Sequence, residues 1–89
     1  MKDKTVVEFK TVSPLFEMER DGIKPFTTRL WDTSDKRFNT VLDLMDFNET
    51  FEIQIINPET NESFIRTTNA AEWVLYTKHK WVNIHWKVE

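Results

Sequence analysis

The sequence predicts a small α+β domain, a mostly antiparallel β-barrel of five or six short strands with one or two short helices. Three observations lead there. The chain has 89 residues, room for one domain (1–89) with one modest core. Seven Phe, four Trp and one Tyr supply enough apolar area for that core to offset the entropy of ordering. Short β-rich segments also recur between turn clusters, the pattern of a small sheet protein.

Lys4 to Val12 reads as the first strand, carrying Val6, Val7, Phe9 and Val12. Ser13-Pro14 follows as a helix start, a hydroxyl N-cap and then Pro at the first helical position. Leu15 to Arg20 gives about two turns, with Leu15 and Met18 at i, i+3. Gly22, the only glycine, suits the left-handed position just past a helix end.

Pro25 to Trp31 is extended, with Phe26, Thr28 and Leu30 on one face and Thr27, Arg29 and Trp31 on the other. Asp32 to Asp35 is a turn. Thr40 to Phe47 is expected to be a third strand. Phe51 to Ile56 alternates cleanly, and a turn at 57–62 returns the chain as Ser63 to Thr67, a hairpin. Ala70 to Lys80 is expected to be a short helix, because Asn69 and Glu72 stand at capping-box spacing, although Trp73-Val74-Leu75-Tyr76-Thr77 is also strand material. Trp81 to Val88 closes the chain as a strand, with Val82, Ile84, Trp86 and Val88 on one face.

The absence of cysteine excludes a disulfide scaffold, thiol catalysis, iron–sulfur clusters and thiolate zinc sites. His79 and His85 lie six residues apart without a ligand-spaced partner, so no metal and no cofactor are expected. No apolar run approaches the ~20 residues needed to span a bilayer, and no apolar h-region follows Met1 to Thr5. A cytoplasmic protein without membrane contact is expected.

Charge is unevenly spread. The net charge is −3, which does not describe a general polyanion binder. From Phe38 to Ile65 there is no Lys or Arg, only the acids Asp43, Asp46, Glu49, Glu52, Glu59 and Glu62. Arg20 to Arg37 and Lys78 to Lys87 are basic, and would form one basic face if they met in space.

Gly22-Ile23-Lys24-Pro25-Phe26-Thr27-Thr28-Arg29 has the form G-x-K-x-x-T-x-R and resembles the signature of the ASCH domains, which are PUA-like β-barrels. Arg29-Leu30-Trp31-Asp32 with Asp35-Lys36-Arg37 is similar to that family's R-L-Y-D…K-R stretch. Thr40 to Phe47 is similar to its V-G-D-x-I-x-F strand, with Asp43 keeping the acid and Leu42 replacing the glycine. The match covers most of Ser13 to Phe47. The resemblance implies RNA binding or RNA metabolism, and one branch of the family implies hydrolysis of N4-acylated cytidine nucleosides.

The side chains suit both chemistries. Arg29 offers a planar fork to phosphate or a base edge, Lys24 a point charge. Thr27 adds a hydroxyl, Trp31 a stacking surface, and Lys36 and Arg37 extend the track. These six residues are the expected nucleic-acid-binding set. Under the amidohydrolase alternative Lys24 and Thr27 are catalytic, Lys24 must lose its proton near neutral pH, and the third group is an unplaced acid for which Glu72 is a candidate only by position. The structural alternative is that Arg29 clasps Asp43 or Asp32 and Trp31 is core. A third functional reading is a compact interaction protein, of the kind phages and mobile elements make, presenting Glu52, Glu59 and Glu62 to a host protein.

Overall fold

The computed structural model describes residues 5–74 and 78–88. The order of elements is β1 (Val6–Lys10), α1 (Leu15–Arg20), β2 (Phe26–Leu30), α2 (Arg37–Phe47), β3 (Glu52–Ile56), β4 (Ser63–Val74) and β5 (Trp81–Trp86). The five strands form one mixed sheet in the order β1-β3-β4-β5-β2. Only β1 and β3 pair in parallel; the other pairings are antiparallel. The α+β class and the strand number match expectation, but the sheet is not closed into a barrel. Its outer strands, β1 and β2, share no backbone ladder.

Alternation builds the core. Val7 and Phe9 of β1, Ile53 and Ile55 of β3 and Val82, Ile84 and Trp86 of β5 are buried, and each intervening residue is more exposed. Phe16 of α1 and Phe38, Val41 and Leu44 of α2 cover that face. Val88 was expected on the buried face of the last strand, but β5 ends at Trp86 and Val88 is exposed. α1 starts after Ser13-Pro14 as anticipated, but Phe16 and Glu19 are its buried pair, while Leu15 is exposed. Ser13 caps nothing on the backbone; its hydroxyl donates to the Glu17 carboxylate. Gly22 does adopt the left-handed backbone, φ +80°.

Two expected elements are corrected. Thr40 to Phe47 is not a strand but most of α2. Phe38, Val41 and Leu44 are buried at a spacing of three, with Met45 packed beside them, so they share one helical stripe. Asn48, at φ 55°, ends the helix in the left-handed conformation, with its N–H on the carbonyls of Asp43 and Leu44. Ala70 to Val74 is not a helix but the second half of β4, paired with His85 to Trp81 of β5. Residues 75–77, the rest of that expected helix, lie outside the described residues. The β-pairing gives this stretch long-range hydrogen bonds to β5 along one side, which a capping-box signal of local bonds does not outweigh.

β4 joins two halves of the sheet. Its first half pairs with β3 and its second with β5, and the register shifts between Thr68 and Ala70. Buried Thr68 closes the ladder there. Its N–H and hydroxyl both donate to the Phe51 carbonyl at 2.9 Å, and its hydroxyl accepts from the Phe51 N–H at 3.0 Å.

Candidate functional site

Arg29 is the centre of the expected site. It stands on β2 facing the end of β1, where no ladder joins the two strands. Its Nη1 donates to the Lys10 carbonyl at 2.8 Å, its Nη2 to the Thr11 hydroxyl and its Nε to the Thr27 hydroxyl at 3.0 Å. The guanidinium lies over the Phe9 ring, 5.0 Å from its centroid. Arg37 repeats the device one turn of pleat away. Its Nη1 donates to the Glu8 carbonyl at 2.7 Å, and it lies 4.4 Å from the Phe9 centroid. In the parallel ladder the backbone groups of Thr5, Val7 and Phe9 face β3, so those of Glu8 and Lys10 face outward. Two guanidiniums therefore take the carbonyls an edge strand leaves bare.

The two arginines differ in charge balance. Arg37 is held by Asp35, at 2.6 Å from Nη2 to Oδ2. Those hydrogen bonds keep the Asp35 carboxyl below the usual carboxylate range and raise Arg37. Arg29 has no carboxylate within ion-pair distance among the described residues. The expected clasp to Asp43 or Asp32 does not form: Asp32 accepts from Ser34, and Asp43 is exposed on α2. Burial lowers the Arg29 guanidinium from its ordinary value; the charge of Glu19 opposes this and that of Arg37 adds to it.

Arg29 also divides two clefts. One, of about 360 Å³, is lined by Glu19, Lys24, Thr27 and Arg29, with Val12 and Leu15 as exposed apolar walls. The other, of about 480 Å³, contains Arg29, Arg37, Asp32, Asp35 and Phe38. Thus Lys24, Thr27 and Arg29 share one cleft, and Arg29 and Arg37 share the next. Trp31 lines neither. It is half-buried against Phe38 and Trp73, with ring centroids 4.8 Å apart in each pair. Lys36 is exposed at the start of α2.

Sequence reasoning missed Glu19. After α1 the chain turns through Gly22, and the Lys24 N–H bonds the Met18 carbonyl at 3.0 Å. That turn lays Lys24 back along the helix, where its Nζ meets Glu19 Oε2 at 2.7 Å. Glu19 is 1% exposed, and its other oxygen, Oε1, is buried without a hydrogen-bond partner among the described residues. An acceptor left bare at that depth costs about 1–3 kcal/mol. The available signal was the spacing from Phe16 to Glu19, one turn of helix on a single face. Glu72 is elsewhere, on β4, 3.0 Å from His85 Nε2.

The two basic stretches do meet, because β2 and β5 pair from Phe26–His85 to Leu30–Trp81. The acids do not form one surface. Glu52 is half-buried at the start of β3, Glu62 at the other end of the hairpin is bound by Arg20 at 3.0 Å, and Glu59 is exposed in the turn. Among the described residues no group of three or more His, Cys, Asp or Glu converges as metal ligands. No helix among them is long and apolar enough to cross a membrane. Searches of protein-family models, curated proteins and solved structures give no match to this chain.

Proposed function

We propose that this chain binds RNA or a nucleotide on the face running from Lys24 to Arg37, with Arg29 as the anchor for phosphate. The observation that carries this reading is the half-buried Arg29 guanidinium, unmatched by any described carboxylate and placed between two clefts. A fixed, uncompensated fork is suited to an oxyanion. Clefts of about 360 and 480 Å³ are of single-ligand size, which favours one nucleotide or a strand end over a long duplex. The resemblance of Gly22 to Arg37 to the ASCH signature points the same way.

Amide NMR of the labelled protein during titration with a short mixed-sequence RNA at low salt tests this. Shifts are expected within Gly22–Trp31 and at Arg37. Because Lys24 and Arg37 already have carboxylates, few phosphates are neutralised, and the logarithm of affinity should fall with log salt at a slope of only about −1 to −2. No shifts at millimolar RNA would remove the reading.

Glu19 favours a second reading, the amidohydrolase. It brings a carboxylate to Lys24 in the cleft that holds Thr27, and so supplies a candidate for the acid that this reading needs. Turnover of an N4-acylated cytidine, abolished in Lys24→Ala, Thr27→Ala and Glu19→Gln alike, is its signature; absence of turnover in the wild type removes it.

A further inference from the structure

A second place where the sheet comes apart forms a different kind of site. β4 pairs with β3 over Ser63 to Thr67, but β5 joins it only from Thr68 onward. Beyond Trp86 the chain leaves the sheet, and a split opens between Lys87-Val88 and the first half of β4. This cleft, of about 480 Å³, is lined by Arg20, Asp21, Ile65, Arg66, Thr67, Lys87 and Val88. It shares no lining residue with the two clefts beside Arg29.

Its donors outnumber its acceptors. Asp21 is spent on Arg20 at 2.9 Å, and Glu62, just outside, on the same guanidinium at 3.0 Å. Arg66 and Lys87 have no carboxylate partner among the described residues. Arg66 is nevertheless fixed: it lies 4.8 Å from the Phe64 ring centroid and donates to the carbonyls of Ile65 at 2.9 Å and Arg20 at 3.1 Å. Those bonds leave its Nε and two further N–H groups unused. The Thr67 hydroxyl makes no hydrogen bond among the described residues. The backbone adds to this set. The Thr68 N–H bonds the Phe51 carbonyl and the Asn57 N–H bonds the Glu62 carbonyl, so the antiparallel alternation turns the N–H and C=O groups of Ile65 and Thr67 away from β3, toward the side where the split lies, and Arg66 takes the Ile65 carbonyl.

We propose that this split is a second anion site and that it takes a phosphate monoester. Guanidinium, ammonium, hydroxyl and strand N–H groups supply donors for three terminal oxygens, whereas a carboxylate offers two. The exposed side chains of Ile65 and Val88 wall the notch, which admits a group with one substituent more readily than a phosphodiester passing through. The site is independent of the face around Arg29.

The test is amide NMR during titration with three probes: inorganic phosphate, a 5′-nucleoside monophosphate, and a short RNA with hydroxyl groups at both ends. The first two should give saturable shifts at Ile65, Arg66, Thr67, Lys87 and Val88, and the RNA none there. Lys87→Gln, which removes an exposed side chain without a partner among the described residues, should weaken phosphate binding at least tenfold with the fold intact, and Arg66→Gln should do the same. Shifts that grow linearly without saturating, or that survive unchanged in both variants, overturn the site. Saturable shifts of the same amides by the hydroxyl-ended RNA overturn the choice of a monoester. Responses at Gly22–Trp31 report the face around Arg29 separately, so either site can fail alone.

Discussion

Among the described residues, backbone pairing is missing between β1 and β2 and between the end of β5 and the first half of β4, and the chain treats the two gaps differently. Between β1 and β2 the gap is bridged, with a cleft on either side of the bridge. Arg29 and Arg37 lie over one ring, Phe9, and donate to the outward carbonyls of Lys10 and Glu8. Between β4 and the end of β5 the gap stays open. Arg66 alone lies over Phe64, and its bonds run to Ile65 and Arg20 on one side of the split. The same device, a guanidinium over an aromatic ring reaching strand carbonyls, bridges the gap where Arg29 carries it from β2 to β1 and leaves it unbridged where Arg66 bonds on one side only. Arg29 belongs to both categories: it spans the seam, yet its charge is unmatched.

Removing the two rings should give the largest effects. Phe9 is 2% exposed and supports both seam arginines, so Phe9→Ala should cost about 3–5 kcal/mol in urea unfolding. Phe64, at 8% exposed under one arginine, should fall at the low end of that range. A larger cost at Phe64 would mean that Phe9 owes nothing to supporting two arginines.

Gly22→Ala should have a smaller effect that sharpens it. At φ +80°, and with a Cβ falling 2.8 Å from Val88 Cγ1, alanine there should cost about 1 kcal/mol or more. The displaced Val88 lines the open split, so its amide should move while those of Glu8 and Lys10 stay in place.

Acid should give the smallest difference. Hydrogen bonds from Arg37 hold Asp35, and those from Arg20 hold Asp21, below the usual carboxylate range. A carboxyl lowered by folding adds stability that is complete above its unfolded value, about 4, and is lost as pH falls through the folded one. Asp35→Asn and Asp21→Asn should each flatten the dependence of stability on pH below about 4. Asp35→Asn alone should also loosen the seam, seen as faster hydrogen exchange in β1.

The sequence made the sheet legible where alternation was strict. Phe51 to Ile56, Ser63 to Thr67 and Trp81 to Trp86 fold as their patterns indicate, and Gly22 turns where a left-handed residue was needed. It misled where two periods overlapped. Thr40-Val41-Leu42 is β-branched and apolar, but the burial of Phe38, Val41 and Leu44 follows a turn of helix. Ala70 to Val74 carries a local capping signal, yet its partner is β5, known only once the chain is folded. The site was half legible. The motif gave Lys24, Thr27 and Arg29, which do share a cleft. Glu19 was not visible because a buried acid in a short helix reads as surface until the turn at Gly22 lays Lys24 against it. For Trp31 both a stacking surface and a core position were open, and its contacts with Phe38 and Trp73 are those of a residue packed against the core.

On the proposed reading, the unmatched charge of Arg29, and not the bridge between β1 and β2 as such, anchors the ligand. Arg29→Lys and Arg37→Lys both keep a cation and lose a fork, so calorimetric titration of each with a short RNA bearing hydroxyl groups at both ends, which the split beside Lys87 is not expected to take, separates charge balance from bridging. Arg29→Lys should weaken binding at least tenfold, and Arg37→Lys less than threefold. Equal losses, or a greater loss at Arg37, would contradict the account.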